Sequence, residues 1–270
     1  MAYRQFIHHK NKWNLEGVCS EAAQFFSRLA DEMPSGWTTA YNNFILGFVN
    51  AGIWYKHDAI WITAGNTDNN SRINLITASN TLNLINGPTH TAKEGYTGDG
   101  ISKYLETNFT PSVHSTNYSV NSASIWVRES NFIVDNTILQ TAIGANDSGA
   151  GSVILRSTNT RPYGNVTRWN LNSRRSSEYG NTSIKSIRRL NGTSSQFFED
   201  GVQRHTLTDT PYGSLSAEMF YLLADNNGGT ARYFSKNTIN MIGIASGLTN
   251  DEIAAKDTLI EDFFTEIAAL

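Results

Sequence analysis

The spacing of apolar residues along the chain changes near residue 95. Before that point they recur at helical spacing, which predicts one helix over 20–33 and a second over about 37–51. The apolar residues of the first helix are Ala22, Phe25, Phe26, Leu29 and Met33. After residue 95 apolar and polar residues alternate over short segments, which predicts strands. We therefore expect an N-terminal helical pair followed by a β-rich region.

The change occurs in a glycine-rich stretch. Gly95, Gly98 and Gly100 supply positions that can adopt positive φ angles. The alternation over 101–106 then predicts a strand, which we expect to open a β-sandwich and to pair beside 238–244.

Tight turns join the later strands. Strands are predicted over 183–190, 195–199 and 202–206, with Asn-Gly and Asp-Gly pairs between them as two-residue hairpin turns. The near-continuous apolar runs 219–223 and 238–244 predict buried central strands.

The chain ends in a predicted amphipathic helix. Thr249 and Glu252 have the spacing of a capping box. The expected organisation is an arm over 1–19, the helical pair and its connector over 20–62, and a sandwich with its closing helix over 63–270. The fold class predicted is mainly β.

The composition agrees with a β-rich protein. Hydrophobic residues make up 39% and charged residues 17%, and Asn, Ser, Thr and Gly are abundant. The net charge of −3 gives no general case for nucleic-acid binding. A single cysteine, Cys19, excludes an internal disulfide. No apolar run is long enough to span a membrane, and the N-terminus lacks the apolar core of a signal peptide.

Catalytic and metal-binding patterns are weak. Glycoside hydrolysis needs two neighbouring carboxylates, but the candidate glutamates are isolated from other acids along their strands, and Glu199-Asp200 lies at a turn. These glutamates are Glu94, Glu106, Glu129, Glu178 and Glu199. We therefore predict that the chain is not an enzyme. Calcium is the one cofactor considered, with Asp99, Asp147 and Asp225 as loop candidates; side-chain turns are the alternative for these residues.

One stretch combines aromatic, amide and cationic side chains, as glycan binding requires. Its residues are Tyr163, Arg168, Trp169, Asn170, Asn172, Arg174 and Arg175. Lys and Arg outnumber acids between 151 and 205, which is typical of a strand face with solvated arginines; a surface for an acidic partner or a glycan is the alternative. The alternative is an ordinary strand in which Trp169 packs inward and its neighbours face water.

The order of elements at the end of the chain resembles a known fold. A hairpin, two apolar strands and the segment Gly247-Leu248-Thr249-Asn250-Asp251-Glu252-Ile253 are similar to the end of the concanavalin A-like lectin/glucanase jelly roll, in its laminin-G-like branch. The stretch 98–105 resembles the opening strand of that branch. The resemblance covers about residues 90–268 and implies a two-sheet jelly-roll sandwich.

The front of the chain resembles domains of phage and prophage structural proteins. The similar segments are 52–62, reading GIWYKHDAIWI, and 95–100, reading GYTGDG. This resemblance implies localisation in a virion, as a fibre, spike, tail appendage or capsid decoration. The implied partners are other virion proteins, further copies of the chain, and a host-surface glycan. A carbohydrate-binding module of a bacterial surface or secreted protein is the alternative, and a glucanase-like enzyme is a third hypothesis. The helices within 20–51 are candidates for the contact between copies; covering a sheet edge is their alternative role.

Overall fold

Two β-sheets stack face to face, and helices cover the outer face of one of them. The computed structural model describes residues 17–131, 139–156, 162–168 and 182–270. The chain is mainly β and forms a two-sheet sandwich with a C-terminal helix.

The helices of the described residues lie at the two ends of the sequence and in short connections. They are α1 (Ser20–Phe26), α2 (Ser35–Asn50), α3 (Asp68–Ser71), α4 (Pro111–His114) and α5 (Asn250–Ala268), with a 3-10 turn over Trp54–Lys56. Helix α5 begins with the predicted capping box, in which the Thr249 side chain accepts from the Glu252 backbone and the Glu252 side chain accepts from the Thr249 backbone.

The first sheet contains the long strands. Its members are β1 (His57–Trp61), β3 (Thr89–Thr91), β4 (Gly95–Thr97), β6 (Ala123–Ser130), β10 (Thr182–Asn191), β11 (Ser194–Glu199), β12 (Val202–Thr208) and β16 (Thr238–Ala245). The order is β12-β11-β10-β6-β16-β4-β3, and β1 also pairs with β16.

The second sheet closes the other side of the sandwich. Its members are β2 (Asn83–Ile85), β5 (Tyr104–Glu106), β7 (Gln140–Asp147), β8 (Ala150–Arg156), β9 (Pro162–Asn165), β13 (Tyr221–Leu222), β14 (Asp225–Asn227) and β15 (Thr230–Arg232). The order is β15-β14-β7-β13-β5-β2, with β8 and then β9 added beside β7.

The central strands of the first sheet, β1, β6 and β16, are buried on both faces, so they separate two hydrophobic cores. In β6, Ile125 and Val127 join the core between the sheets, whereas Trp126 joins the core beneath the helices. This follows from the period of two along a strand. The same alternation places Trp61 in the inter-sheet core and Ile60 beneath the helices. In β16 a register shift between Ile239 and Met241 interrupts the alternation of residues between the two faces of the sheet.

Trp126 connects three strands and the last helix. Its ring lies directly against Gly243, the residue opposite it in β16, where an added Cβ would come within 2.2 Å of ring atoms. Its Nε1–H donates to His57 Nε2 at 3.0 Å, and the Lys256 Nζ of α5 lies 4.9 Å from the ring centroid. This cluster packs α5 against the outer face of the first sheet.

The predicted first helix is too long. It ends at Phe26, although Leu29 and Met33 are buried as the pattern indicated. The Ser27 hydroxyl and the Arg28 guanidinium both donate to the Gln24 carbonyl, and Arg28 also donates to the carbonyls of Asn74 and Leu75. These bonds hold the segment after Phe26 in a non-helical path against the core.

The predicted role of 101–106 as the strand beside 238–244 is wrong. Gly95–Thr97, before the glycine loop, pairs with β16, and Tyr104–Glu106 belongs to the second sheet. The chain crosses between the sheets within this stretch, where the backbone of Gly95 and Gly98 packs too closely against the segment 235–240 to leave room for a Cβ. His57–Trp61 precedes both strands and already pairs with β16.

The predicted meander is confirmed as β10, β11 and β12. Asp200 and Gly201 form its second turn with φ values of 49° and 74°. The first turn is displaced by one residue from the prediction, because its loop is Gly192-Thr193 and Asn191 ends β10. The Asn191 side chain accepts from the Thr193 backbone at 3.0 Å instead.

The apolar residues of α1 and α2 pack in the same core as Trp126 and Met241 of the first sheet. The helices therefore cover a sheet face rather than a sheet edge. The division at residues 19 and 62 remains a prediction. In the described part of the chain no helix is long and apolar enough to cross a membrane.

Replacing Gly243 with alanine is expected to destabilise the fold. The new methyl group would overlap the Trp126 ring, which is fully buried. We expect a loss of about 1–3 kcal/mol in the free energy of unfolding, measured by chemical denaturation. Gly213→Ala is the matched control, since nothing lies within 4 Å of its Cβ position. Equal stability of the two variants would contradict the packing role of Gly243.

Candidate functional site

A groove opens beside the N-terminal end of β1. It has a volume of about 310 Å³ and is bounded by the 3-10 turn, the loop 76–80 and the segment that follows α4. Its lining residues are Trp54, Tyr55, His57, Asp58, Ile76, Thr77, Ser79, Asn80, His114, Thr116 and Asn117. We refer to this set as the Tyr55 groove.

Tyr55 provides an exposed aromatic ring at this groove. Its side chain is 64% exposed, whereas the neighbouring Trp54 is buried in the core beneath the helices. The phenol donates to Glu21 Oε1 at 2.6 Å, so the ring is tethered to α1. The same hydrogen bond lowers the pKa of the Glu21 carboxyl. A held aromatic ring loses little conformational freedom when a ligand packs against it.

Asp58 shapes the opposite wall. Its carboxylate accepts from the backbone N–H groups of Thr116, Asn117 and Tyr118, with the shortest bonds at 2.8 Å. The Asn117 side chain also donates to the His57 carbonyl at 3.4 Å. These bonds attach the segment after α4 to β1, so the wall is built by a charged side chain buried in a strand.

Neutral polar groups line the rest of the groove. Thr77 and Ser79 share a hydroxyl–hydroxyl hydrogen bond of 2.9 Å. His114 Nδ1 accepts from the Thr110 N–H at 2.8 Å, which leaves Nε2 to carry the ring proton. Pro111 starts the helix that presents His114, at a position where its missing N–H costs nothing.

The loop 76–80 is fastened at both ends. The Asn74 side chain donates to the Thr77 hydroxyl at 3.0 Å, and the Trp61 indole donates to the Asn80 carbonyl at 2.8 Å. Asn80 has a φ of 62°, a conformation that asparagine tolerates better than most residues. The loop therefore has a defined path next to the Tyr55 ring.

His57 lies behind the groove and is neutral. Its Nε2 accepts from Trp126, and its Nδ1–H donates to the Ile53 carbonyl at 2.8 Å. Burial, with a smaller effect from the charge of Lys256, lowers the pKa of His57 to about 4. The imidazole thus joins the groove wall to the Trp126 cluster.

A second, larger cavity of about 680 Å³ lies between α5 and the β11–β12 turn. Its charged groups are Arg128, Asp200, Asp257, Glu261 and Asp262. Arg128 forms two bonds to the Glu261 carboxylate and lies over the Phe264 ring. Asp257 pairs with the buried Lys256, and Asp200 accepts from the Ile184 N–H. These contacts join α5 to the first sheet, so we assign this cavity a structural role.

The predicted glycan site falls mostly outside the described residues. Trp169, Asn170, Asn172, Arg174 and Arg175 all lie there. Tyr163 is in β9, where its backbone pairs with Leu155. The Arg168 guanidinium donates to the carbonyl and the hydroxyl of Thr210, at 2.8 and 3.0 Å. The site proposed from that stretch remains a prediction.

The three calcium candidates have different surroundings. Asp99 Oδ1 accepts from the N–H groups of Ile101, Ser102 and Lys103, which is a side-chain turn. Partial burial alone would raise the pKa of Asp99, but these donors outweigh it and lower the pKa to about 2. Asp225 accepts from the Arg232 guanidinium at 2.7 Å, and Asp147 ends β7. Among the residues that the structure describes, no group of three or more His, Cys, Asp or Glu side chains could hold a metal ion.

No sequence pattern predicted the Tyr55 groove. One signal could have pointed to it. Asp58 is a charged residue inside a strand whose residues are all buried, and such a residue needs specific partners. Its partners lie about sixty positions further along the chain, where no sequence pattern identifies them.

The structure is similar to solved sialidases. It matches a mutant of Trypanosoma rangeli sialidase that displays trans-sialidase activity with a TM-score of 0.59 at 11% identity, over 85% of this chain and 38% of that chain. Trypanosoma rangeli sialidase itself matches with a TM-score of 0.54 at 13% identity, over 76% and 33% of the two chains. This chain therefore spans little more than a third of these proteins.

A toxin domain has a comparable similarity. The binding domain of botulinum neurotoxin serotype D matches with a TM-score of 0.53 at 11% identity, over 77% of this chain and 52% of that chain. No family model and no curated protein matches this chain by sequence. At these identities the similarity shows the fold alone, a β-sandwich of the kind found in these proteins.

The stability of the protein is expected to fall on acidification through His57. The unfolded imidazole binds a proton near pH 6.5 and the folded one near pH 4, so the unfolded state binds more protons between these values. The free energy of unfolding should therefore decrease as the pH falls through this window, by roughly 3 kcal/mol in total. Denaturation curves of the protein and of His57→Gln at pH 7, 5.5 and 4 measure this contribution. A variant whose stability depends on pH just as strongly would rule out His57 as the cause.

Proposed function

We propose that this chain is a lectin-like β-sandwich domain that binds a glycan through the Tyr55 groove and carries out no chemistry on it. The observation that supports this most is the exposed, tethered Tyr55 ring beside a wall of neutral polar groups. Ligand sites combine an apolar surface with a few placed polar groups. A sugar presents both kinds of surface, since its C–H face packs on aromatic rings and its hydroxyls form hydrogen bonds.

The polar groups suit hydroxyl partners. A threonine or serine hydroxyl donates one hydrogen bond and accepts others, and so does a sugar hydroxyl. Thr77, Ser79 and Thr116 are exposed in the groove. Asn117 adds an amide whose oxygen can accept. Because the bonds of Asp58 hold the segment 116–118 in place, little ordering cost should accompany binding.

The carboxylates support a binding role over hydrolysis. Within the described part of the chain, Asp58 is the one carboxylate that lines the groove, and its oxygens accept from three backbone N–H groups. Glycoside hydrolysis uses a pair of carboxyl groups. Elsewhere, Glu129 forms a buried ion pair with Lys185, and Glu199 lies 3.7 Å from the Arg204 guanidinium. Glu106 accepts from the Asn83 side chain at 2.9 Å.

The finer features of the fold predicted from sequence are also proposals. A jelly-roll arrangement of the sandwich is supported by the crossing of the chain from β4 in the first sheet to β5 in the second and back to β6. A helical pair is supported by the shared core of α1 and α2. Association of several copies is a proposal too, and it rests on the resemblance to virion proteins.

A structural role in a phage virion is the second candidate, as a fibre, spike, tail appendage or capsid decoration. It is supported by the resemblance of the segments 52–62 and 95–100 to phage and prophage structural proteins. The first of these segments supplies Trp54, Tyr55 and Asp58 to the groove. A displayed glycan-binding domain and a virion component are compatible, because host attachment requires recognition of a cell surface.

Tyr55→Ala is expected to weaken glycan binding about tenfold, which corresponds to roughly 1.4 kcal/mol of lost stacking. The measurement is titration of the full chain with oligosaccharides first selected on a glycan array. Tyr212→Ala is the matched control, because Tyr212 is also an exposed tyrosine, 46% accessible, and is absent from the groove lining. Tyr55→Phe keeps the aromatic ring and removes its hydrogen bond to Glu21, so it distinguishes the contributions of the two. An array with no bound oligosaccharide, or equal affinities for the two alanine variants, would overturn the proposal.

Peptides of this chain are expected in purified virions of the phage or prophage that encodes it. Mass spectrometry of particles banded in a density gradient tests this, with host cytosolic proteins as the contamination control. Particles that contain their other structural proteins and lack this chain would contradict the virion role and leave the glycan-binding proposal standing.

A further inference from the structure

We propose that the Tyr55 groove selects neutral, hydroxyl-rich saccharides and discriminates against glycans that end in a carboxylate sugar such as sialic acid. This inference rests on the proposed glycan-binding function and adds the class of ligand. It depends on the charge of the groove lining, in which Asp58 is the charged residue among those that the structure describes.

Among the residues that the structure describes, those that line the groove include no lysine and no arginine. The nearest cation in sequence, Lys56, is engaged elsewhere, because its Nζ donates to Glu252 Oε1 at 2.6 Å. Carboxylate ligands are held most strongly by charge-assisted bonds, above all by the fork of an arginine. The groove as described offers no such bond.

Negative charge lies on both sides of the groove. Asp58 forms part of one wall, and Glu21 accepts from the Tyr55 hydroxyl at the other. A bound carboxylate would lose water and enter a space flanked by two like charges, which disfavours it. A neutral sugar has no such penalty.

The two histidines do not supply the missing cation. His57 is buried and bonded through both ring nitrogens, with Nε2 as an acceptor from Trp126. Its protonation would break that bond, and burial lowers its pKa to about 4. His114 uses Nδ1 to accept from the Thr110 N–H, so the ring atom left to face a ligand is the Nε2–H donor.

What remains is a set of neutral donors and acceptors. The hydroxyls of Thr77, Ser79 and Thr116, the Asn117 amide oxygen and the His114 Nε2–H can each pair with a sugar hydroxyl. Hydrogen bonds to neutral partners discriminate by position rather than by charge. The geometry therefore favours a ligand with several hydroxyls and no formal charge.

Matched glycans test the inference directly. The full chain is titrated with lactose-terminated oligosaccharides, with the same oligosaccharides capped by sialic acid, and with the methyl esters of the capped forms. We expect the capped forms to bind at least tenfold more weakly than the uncapped ones. The methyl esters should recover a measurable part of the affinity, because they keep the bulk and remove the charge. If uncapped lactose does not bind, the neutral partner is replaced by the neutral oligosaccharide selected on the array.

A charge-introducing variant provides the second arm. Thr77→Lys adds a cation to the groove rim at an exposed position, and we expect it to raise the affinity for sialylated glycans severalfold while the fold is retained. Asn121→Lys, outside the groove lining, is the control for a general charge effect.

The outcomes separate the two proposals. Sialylated glycans that bind as tightly as neutral ones, with a loss in Tyr55→Ala, would overturn the neutral selectivity and leave the binding function intact. Binding of neither class would overturn the proposed function, and the selectivity with it. Weak binding of both the sialylated glycan and its methyl ester would assign the discrimination to size and contradict the role of charge.

Discussion

The packing of Trp126 against Gly243 is the contact on which the three-layer arrangement depends. The centre of the first sheet buries both of its faces: Trp126 packs on the face beneath the helices, and its neighbours Ile125 and Val127 pack on the other. The ring can lie flat on β16 only because residue 243 has no side chain. The indole N–H would be costly to bury alone, and His57 satisfies it. Lys256 brings α5 to the same ring.

The groove depends on this cluster through β1. His57 and Asp58 are adjacent, and they fasten β1 in two directions: His57 bonds to Trp126 in the core, and Asp58 bonds to the backbone of the segment 116–118. Tyr55 precedes them in the 3-10 turn and is held by Glu21 of α1. The rigid scaffold of sheet and helix therefore positions loops that supply the polar groups, which is the usual division of roles in binding proteins.

Local signals predicted much of the fold. The capping box at Thr249, the Asp200-Gly201 turn and the buried strand over 238–244 all lie where the sequence places them. The errors arise where a residue's environment is set by distant partners. Leu29 and Met33 kept the helical spacing of a core face, yet Arg28 holds that segment to the carbonyls of Asn74 and Leu75. After Gly98 the alternation of apolar and polar residues predicted a strand beside β16 in the first sheet. That strand instead pairs with β2 and β13 in the second sheet.

The sequence by itself determined the β-rich class, the Asp200-Gly201 turn and the helix cap at Thr249, because each follows from the conformational preferences of a few adjacent residues. It did not determine which sheet a short strand joins, or that Tyr55, Asp58 and Asn117 meet in one groove. Those outcomes depend on contacts between residues far apart in the chain, where the choice is made by burial and by the need to pair every buried polar group. Asp58 illustrates the difference: its charge was visible in the sequence, and its partners became visible only in the folded chain.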